Sequence, residues 1–504
     1  MTFNYSNTKF LASLIVLNKI LIKKPNFLQI SPLYKPNFLQ IGVYNLKIYV
    51  KIISRLNMFK RKIYQELLKW KNESKGTSAL LIEGARRVGK TKIAEFFGAN
   101  EFQFYKTIDF TTVSKNVIDA FNDLSRIDKF FENLFLALGI NALPKGSLII
   151  FDEVQFCPKA RQAIKTLVAD GRYYYLETGS LVSIRENTSD ILIPSEEESI
   201  QMYPMDYEEF LWACDLEYEA NTIIDHFKAR EIFDNRIHHS LMKNFRTYLA
   251  VGGMPKVVDT YISTHDFYAV DKEKKKILKL YEEDLRKIDN KFGTICYLVY
   301  KQMPTMLSKH STRFIVSSTN QRADSVLFTN TLEKLIESKM VLAVYRCTDP
   351  SGGYALTKDQ SNFKLYFNDV GLFTSIIYPN TMDDSEDIYQ RLIFDNLKLN
   401  LGMLFENVCA QTLVANHFEP YYYSWAQNVE TRKVRYEIDF IIFKDGKTIP
   451  FEVKSGNVSS KVSLEKLREK FPKRIGEKYI VSTKQLSSGD NLTYLPYYML
   501  FALR

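Results

Sequence analysis

The sequence predicts an α/β protein, and three observations carry that prediction. Short apolar runs alternate with helical stretches between residues 60 and 180, the pattern of a parallel sheet covered on both faces. A glycine-rich octapeptide, Gly84 to Thr91, joins the first of those runs directly to a helix. Towards the C-terminus two strand-like runs, Tyr436 to Phe443 and Thr448 to Lys454, flank Asp445-Gly446, the favoured centre of a two-residue hairpin turn.

At 504 residues the chain exceeds what one hydrophobic core organises, so two to four domains are expected. A hydrophobic share of 46% and a charged share of 25% exclude a mainly disordered protein. The net charge of +10 is concentrated at the start, where residues 1–57 hold eight Lys or Arg and no acid, leaving +2 from Met58 onward. Bulk charge therefore gives little support to nucleic-acid binding by the folded body. The five cysteines are far apart, with neither C-x-x-C spacing nor nearby histidine pairs, which points to single reduced thiols, a cytoplasmic setting and no structural zinc.

Residues 1–57 form an atypical basic leader. Lys24 to Ile30 recurs as Lys35 to Ile41. The run Phe10 to Ile22 is too short and too interrupted to span a membrane and lacks a signal-peptide cleavage site. Met58 is read as the native start, and the alternative is a targeting or membrane-surface segment.

From Met58 the elements follow in order. Lys60 to Lys71 is helical, Ala79 to Ile82 is a buried strand, Lys90 to Phe97 a helix and Phe104 to Phe110 a second strand. Further strands at Ser147 to Phe151 and Tyr173 to Glu177 bracket a helix at Lys159 to Ala169. A mostly helical middle follows, including the charged run Lys272 to Lys287. Within it a helix, a turn, the helix Ser325 to Ser338 and the strand-like Met340 to Tyr345 suggest a winged-helix unit. A helix through Gly402 to Ala415 opens the last domain.

Gly84-Ala85-Arg86-Arg87-Val88-Gly89-Lys90-Thr91 fits the phosphate-cradling loop between a strand and a helix. Its glycines let backbone N–H groups wrap phosphates at the helix N-terminus, with Lys92 just beyond. Lys90 is expected to reach the β- and γ-phosphates of ATP, and Thr91 to bind Mg2+. Asp152 emerges after four apolar residues at a strand end, placed to hold the metal, and Glu153 beside it to polarise the attacking water; the alternative is a pair of helix-capping acids. Thr178, ending the next strand, offers a hydroxyl to the γ-phosphate or merely begins a turn.

With these motifs, Tyr203 to Leu211, Val251-Gly252-Gly253-Met254-Pro255, Phe363 to Leu372 and Phe451-Glu452-Val453-Lys454 resemble the AAA-type ATPases of archaea and bacteria that carry an uncharacterised nuclease-like C-terminal domain. The resemblance covers Met58 to the C-terminus. It implies an ATPase domain at 58–215, a helical and winged-helix-like region at 216–385 and a small α/β restriction-nuclease-like domain at 386–504. One departure is the stretch Ser195 to Ser199, where many such proteins have a Gly-Arg pair; it leaves neither Arg172 nor Arg185 assignable as an arginine finger.

If Asp445 and Gly446 form the hairpin loop, Asp439 stands opposite Glu452 and Glu437 opposite Lys454, all four on one face. Ile438, Phe440, Ile442, Phe451 and Val453 are then expected on the other. Facing carboxylates repel unless a cation lies between them, and a divalent metal or Lys454 meets that need. The resemblance implies that Asp439, Glu452 and Lys454 are the catalytic set of a nuclease, with Glu406 as a further metal ligand. The alternative is a salt-bridge patch or an inactive nuclease fold.

Three functions compete: an ATP-switched nucleic-acid enzyme, an ATP-dependent interaction module with an inactive C-terminal domain, and a P-loop kinase, against which Glu153 speaks. ATP is the expected ligand. DNA or RNA is the candidate partner near Trp425, Arg432, Lys433 and Arg435, with a partner protein as the other candidate. Self-association is left open, and no stable membrane insertion is expected.

Overall fold

The chain divides into two units, Met1–Leu56 and Asn57–Arg504. The structure, a computed structural model, describes residues 58–179, 194–287, 292–308, 325–351, 354–378, 385–395, 401–429, 432–455 and 461–504. The leader, Ser180 and Arg185 lie outside the described residues.

The first layer follows the alternation of the sequence: α1 (Ile63–Ser74), β1 (Ala79–Glu83), α2 (Lys90–Glu101), β2 (Tyr105–Asp109), α3 (Lys115–Ala120), α4 (Ile127–Leu138), β3 (Leu148–Asp152), α5 (Pro158–Asp170), β4 (Tyr174–Gly179) and β5 (Glu197–Gln201). The strands form one sheet in the order β2-β3-β4-β1-β5, with every pair parallel. Successive side chains point to opposite faces, so Leu80, Ile82, Ile150 and Leu176 join one core while Ala79, Leu81, Ile149, Phe151 and Tyr175 join the other. Helices on both faces are what makes such unbroken apolar runs stable as strands. Because β4 lies between β1 and β3, Thr178 at its end falls between the loop after β1 and the acids after β3.

Strand β5 has no counterpart in the sequence expectations. Its acidic stretch is tolerated because Glu197 forms a two-pronged ion pair with Arg161 of α5, at 2.8 and 2.6 Å.

The middle layer comprises α6 (Tyr207–Ala213), α7 (Glu217–Ala229), α8 (Asn235–Val251), α9 (Pro255–Thr264), α10 (Phe267–Lys287), α11 (Phe292–Ser308) and α12 (Ser325–Glu337). Asp206 starts α6 through a capping box with Glu209. Gly253 packs so tightly that a Cβ there would lie 1.9 Å from Met205 O.

The second sheet has eight strands in the order β12-β13-β11-β10-β9-β8-β6-β7. These are β6 (Val341–Cys347), β7 (Lys358–Phe367), β8 (Tyr421–Val429), β9 (Arg432–Lys444), β10 (Lys447–Lys454), β11 (Lys478–Ser482), β12 (Ser487–Gly489) and β13 (Leu492–Pro496). Around them lie α13 (Tyr354–Thr357), α14 (Val370–Ile377), α15 (Ser385–Ile393), α16 (Gly402–Ala415) and α17 (Val462–Lys470). A boundary at 385/386 therefore separates strands that the sheet joins. Strand β6 pairs in parallel with β8, Tyr345 against Tyr421, and such long-range pairing leaves no local trace in the sequence.

The hairpin takes the expected register from Lys447 opposite Lys444 to Phe451 opposite Phe440, and the ladder ends there, one step before the expected pairing of Asp439 with Glu452. Asp445 and Gly446 both have positive φ, 52° and 75°, as the mirror-image turn requires. The expected division into faces is corrected: Ile438 packs with Tyr423, Leu464 and Leu467, whereas Phe440, Ile442 and Phe451 enter the large core. The cause is a register shift, in which Tyr421 pairs with Ile441 but Tyr423 with Ile438. The extra residue in β9 is a bulge at Asp439-Phe440, which re-aims the side chains there.

Candidate functional site

The glycine-rich loop runs from the end of β1 into α2. Gly84 is required by close approach, since a Cβ there would lie 2.3 Å from Met202 O. Lys90 is buried at the first turn of α2 and donates to its own loop's carbonyls, Gly84 O at 2.9 Å and Ala85 O at 3.0 Å. Burial pulls its ammonium below the ordinary lysine range, against the pull of Glu153 and Asp152.

Around Asp152 three elements converge. Thr91 Oγ1 donates to Asp152 Oδ1 at 2.8 Å, and the Thr178 hydroxyl donates to the same oxygen. Glu153 N–H donates to Thr178 Oγ1 at 3.3 Å, and the Gln155 amide donates to the Glu153 carboxylate. Glu153 itself has φ 53°, a conformation that a non-glycine residue adopts at a cost and that recurs at functional sites. The donor set fits a hydrated magnesium: a hydroxyl on α2 and a carboxylate on β3, already within contact of each other.

The other loop residues part ways. The Arg86 guanidinium holds Asp284 of α10 at 2.8 and 3.0 Å, and Tyr281 OH of the same helix donates to Arg86 O at 2.9 Å. Arg87 is exposed with φ 72°. Val88 O accepts from Arg61 Nη1 at 2.9 Å, while Arg61 also pairs with Glu209 at 3.1 Å. Lys92 does not join the site with its side chain, which is 76% exposed and pairs with Glu95. Arg172 is bound to Asp170 and Asp128 before β4 begins, at the end of the strand away from Thr178 and Asp152. Arg61, Tyr281 and Asp284 were invisible to sequence reasoning because each reaches the loop from a distant segment.

The C-terminal cluster lies where β9 and β10 part. Asp439 Oδ2 accepts from Val453 N–H at 2.8 Å, and Lys454 Nζ sits 3.1 Å from Glu452 Oε2. Glu406, nearly buried on α16, accepts the Tyr366 hydroxyl and pairs with Lys364 Nζ at 2.9 Å. Lys364 also pairs with Glu437 at 2.9 Å. Burial, and then the nearby Glu406, push the Asp439 carboxyl up to about 7. Burial also raises Glu452, against the pull of Lys454. Among the described residues no three of His, Cys, Asp and Glu gather closely enough to hold a metal ion. The expectation of a divalent ion on Glu406, Asp439 and Glu452 thus meets a cluster whose positive charge comes from lysines, one of them, Lys364, from outside the residues singled out in the sequence.

Among the described residues no helix is long and apolar enough to cross a membrane. The family model described as an AAA domain matches residues 76–211, and two models of domains of unknown function (DUF8612 and DUF4143) match residues 242–383 and 401–500. No curated protein matches the chain. Among solved structures, the Walker-type ATPase of Pyrococcus abyssi is similar over 64% of this chain and 97% of its own, with 14% identity and a TM-score of 0.38. The ORC1 protein of Aeropyrum pernix, solved in complex with DNA, is similar over 64% of this chain and 93% of its own, with 13% identity and a TM-score of 0.27. Taken with the family match, the loop, the strand order and the convergence of Thr91, Thr178 and Asp152 make residues 76–211 an AAA-type P-loop domain.

Proposed function

We propose that the chain is an ATP-hydrolysing switch whose nucleotide state is read by its C-terminal domain. The observation that carries this reading is the single Asp152 oxygen that receives both the Thr91 and Thr178 hydroxyls at the mouth of the loop. To bind a triphosphate, Lys90 exchanges the Gly84 and Ala85 carbonyls for phosphate oxygens, a stronger, charge-assisted partnership. Thr91 and Asp152 are the residues that would hold Mg2+, which when bound neutralises phosphate charge. Glu153 orients and polarises water, with Gln155 holding its carboxylate until then.

Movement in the loop has a route outward. Arg86 is tied to Tyr281 and Asp284 near the C-terminal end of α10, and Lys274 in the same helix donates to Ala250 O at 2.8 Å and Tyr389 OH at 2.7 Å. Asp369, after β7, accepts Gly253 N–H at 2.6 Å. These contacts are the route by which the nucleotide state would reach β7 at the edge of the second sheet.

What the C-terminal domain does has two readings. The presence of Asp439 and Glu452 just beyond the end of the hairpin ladder favours a nuclease-like site acting on DNA or RNA; the lysine partners favour a docking module. The deciding experiment is a cleavage assay on single- and double-stranded DNA and RNA with magnesium or manganese, with and without ATP. Cleavage that responds to ATP upholds the nuclease reading. ATP turnover with no cleavage under any condition removes it and leaves the docking module.

A further inference from the structure

Strand β7 lies in the segment matched by the first unknown-function domain, residues 242–383, yet its Lys364 reaches two acids within the second, residues 401–500. Lys364 Nζ stands 2.9 Å from Glu406 Oε1 on α16 and 2.9 Å from Glu437 Oε1 on β9, with its side chain only 9% exposed. The Tyr422 ring lies 5.3 Å from the ammonium, and Tyr366, two residues along β7, donates its hydroxyl to the same Glu406 oxygen. An ammonium so placed is heavily committed: it has lost most of its water, and its compensation is the carboxylates around it.

Oxygens that hold an ammonium at hydrogen-bond distance are not free to close on a divalent ion, which needs them at roughly 2.0–2.6 Å. The cation that Glu406 and Glu437 require is already supplied by Lys364, as Lys454 supplies one to Glu452. Its carrier, β7, is an edge strand that among the described residues pairs with β6 alone. Two residues beyond β7, Asp369 accepts the Gly253 N–H, so the same chain segment touches the helical layer next to the ATPase domain.

We propose that Lys364 is the resident cation of the C-terminal carboxylate cluster, standing in for a divalent metal and excluding one. The inference deepens the nuclease-like reading of this domain and rests on it for the identity of the excluded ligand. It makes the wild-type cluster closed to metal in the nucleotide-free protein.

The test is manganese binding to nucleotide-free full-length protein, followed by the shift in thermal midpoint for wild type, Lys364→Met, Asp439→Asn and the double variant. Wild type should show no Asp439-dependent shift. Lys364→Met should gain a rise of several degrees, and adding Asp439→Asn should abolish it. Should Lys364→Met fail to melt cooperatively, Lys364→Gln, which keeps a donor for Glu406, takes its place. A manganese shift in wild type that disappears in Asp439→Asn overturns the proposal, and so does a Lys364 variant that gains nothing. Cleavage measured in parallel separates the two ideas: manganese uptake by Lys364→Met without cleavage upholds the role of Lys364 and removes the nuclease reading. Manganese-dependent cleavage by ATP-free wild type does the reverse.

Discussion

The molecule gathers acids at the end of β3 and again around β9, β10 and α16, and surrounds them differently. At Asp152 the neighbours are hydroxyls, Thr91 and Thr178, and the nearby Lys90 is turned onto the carbonyls of its own loop. At Glu406, Glu437 and Glu452 the neighbours are the ammonium groups of Lys364 and Lys454. Neutral hydroxyls leave a carboxylate's charge uncompensated, which is why the proposal has the first site receive a cation with its phosphates. Lysines compensate the charge internally, which is why the proposal has the second do without one. The partner of a buried acid therefore says more about its ligand than the acid does.

The largest effect that sharpens this contrast belongs to the first site. Lys90→Ala should weaken ATP binding by at least ~100-fold, the scale expected when one member of a desolvated charge pair is lost. Isothermal titration with ATP and magnesium checks it, and near-native affinity would mean that the loop does not bind phosphate through Lys90. Thr178→Val removes the hydroxyl shared by Asp152 and Glu153 N–H. Turnover should fall roughly tenfold, the worth of about one hydrogen bond, with affinity little changed.

The smallest effect tests the second site. The Asp439 carboxyl, whose pKa is pushed up to about 7 by burial and then by Glu406, has a folded value above the unfolded one near ~3.9. Its contribution to stability is full below the unfolded value and is lost as pH rises through the folded one. Asp439→Asn should therefore be more stable than wild type by on the order of 1 kcal/mol at pH 8, with the gap closing towards pH 5. Melts of both proteins across that range check the sign. A gap that widened on acidification would show that Asp439 is held as a stabilising anion.

Much of this was legible in the sequence wherever the information is local. The loop, its flanking strand and helix, and Asp152-Glu153 lie in short segments whose apolar runs and glycines dictate their form. The Asp445-Gly446 turn fixed the register of β9 against β10 across the whole ladder. What stayed hidden depends on partners distant in the chain. Lys364 meets Glu406 and Glu437 only because β6 pairs with β8 and brings β7 alongside; Arg61 meets Val88 only after α1 has docked. The bulge at Asp439-Phe440 breaks a two-residue alternation that nothing in the β9 sequence contradicts, and so it reversed the expected facing of Ile438 relative to Phe440. In β5 an acidic run for which the sequence reading had no strand is stabilised by Arg161 from another element.

The central claim is that the first site hydrolyses ATP through Glu153, and one measurement addresses it most directly: ATP affinity and steady-state turnover of Glu153→Gln beside wild type. Wild type should turn over ATP. The variant should bind ATP as tightly while its turnover falls by roughly 10²–10⁴-fold, the usual worth of a positioned general base. Turnover in Glu153→Gln equal to that of wild type would contradict the account.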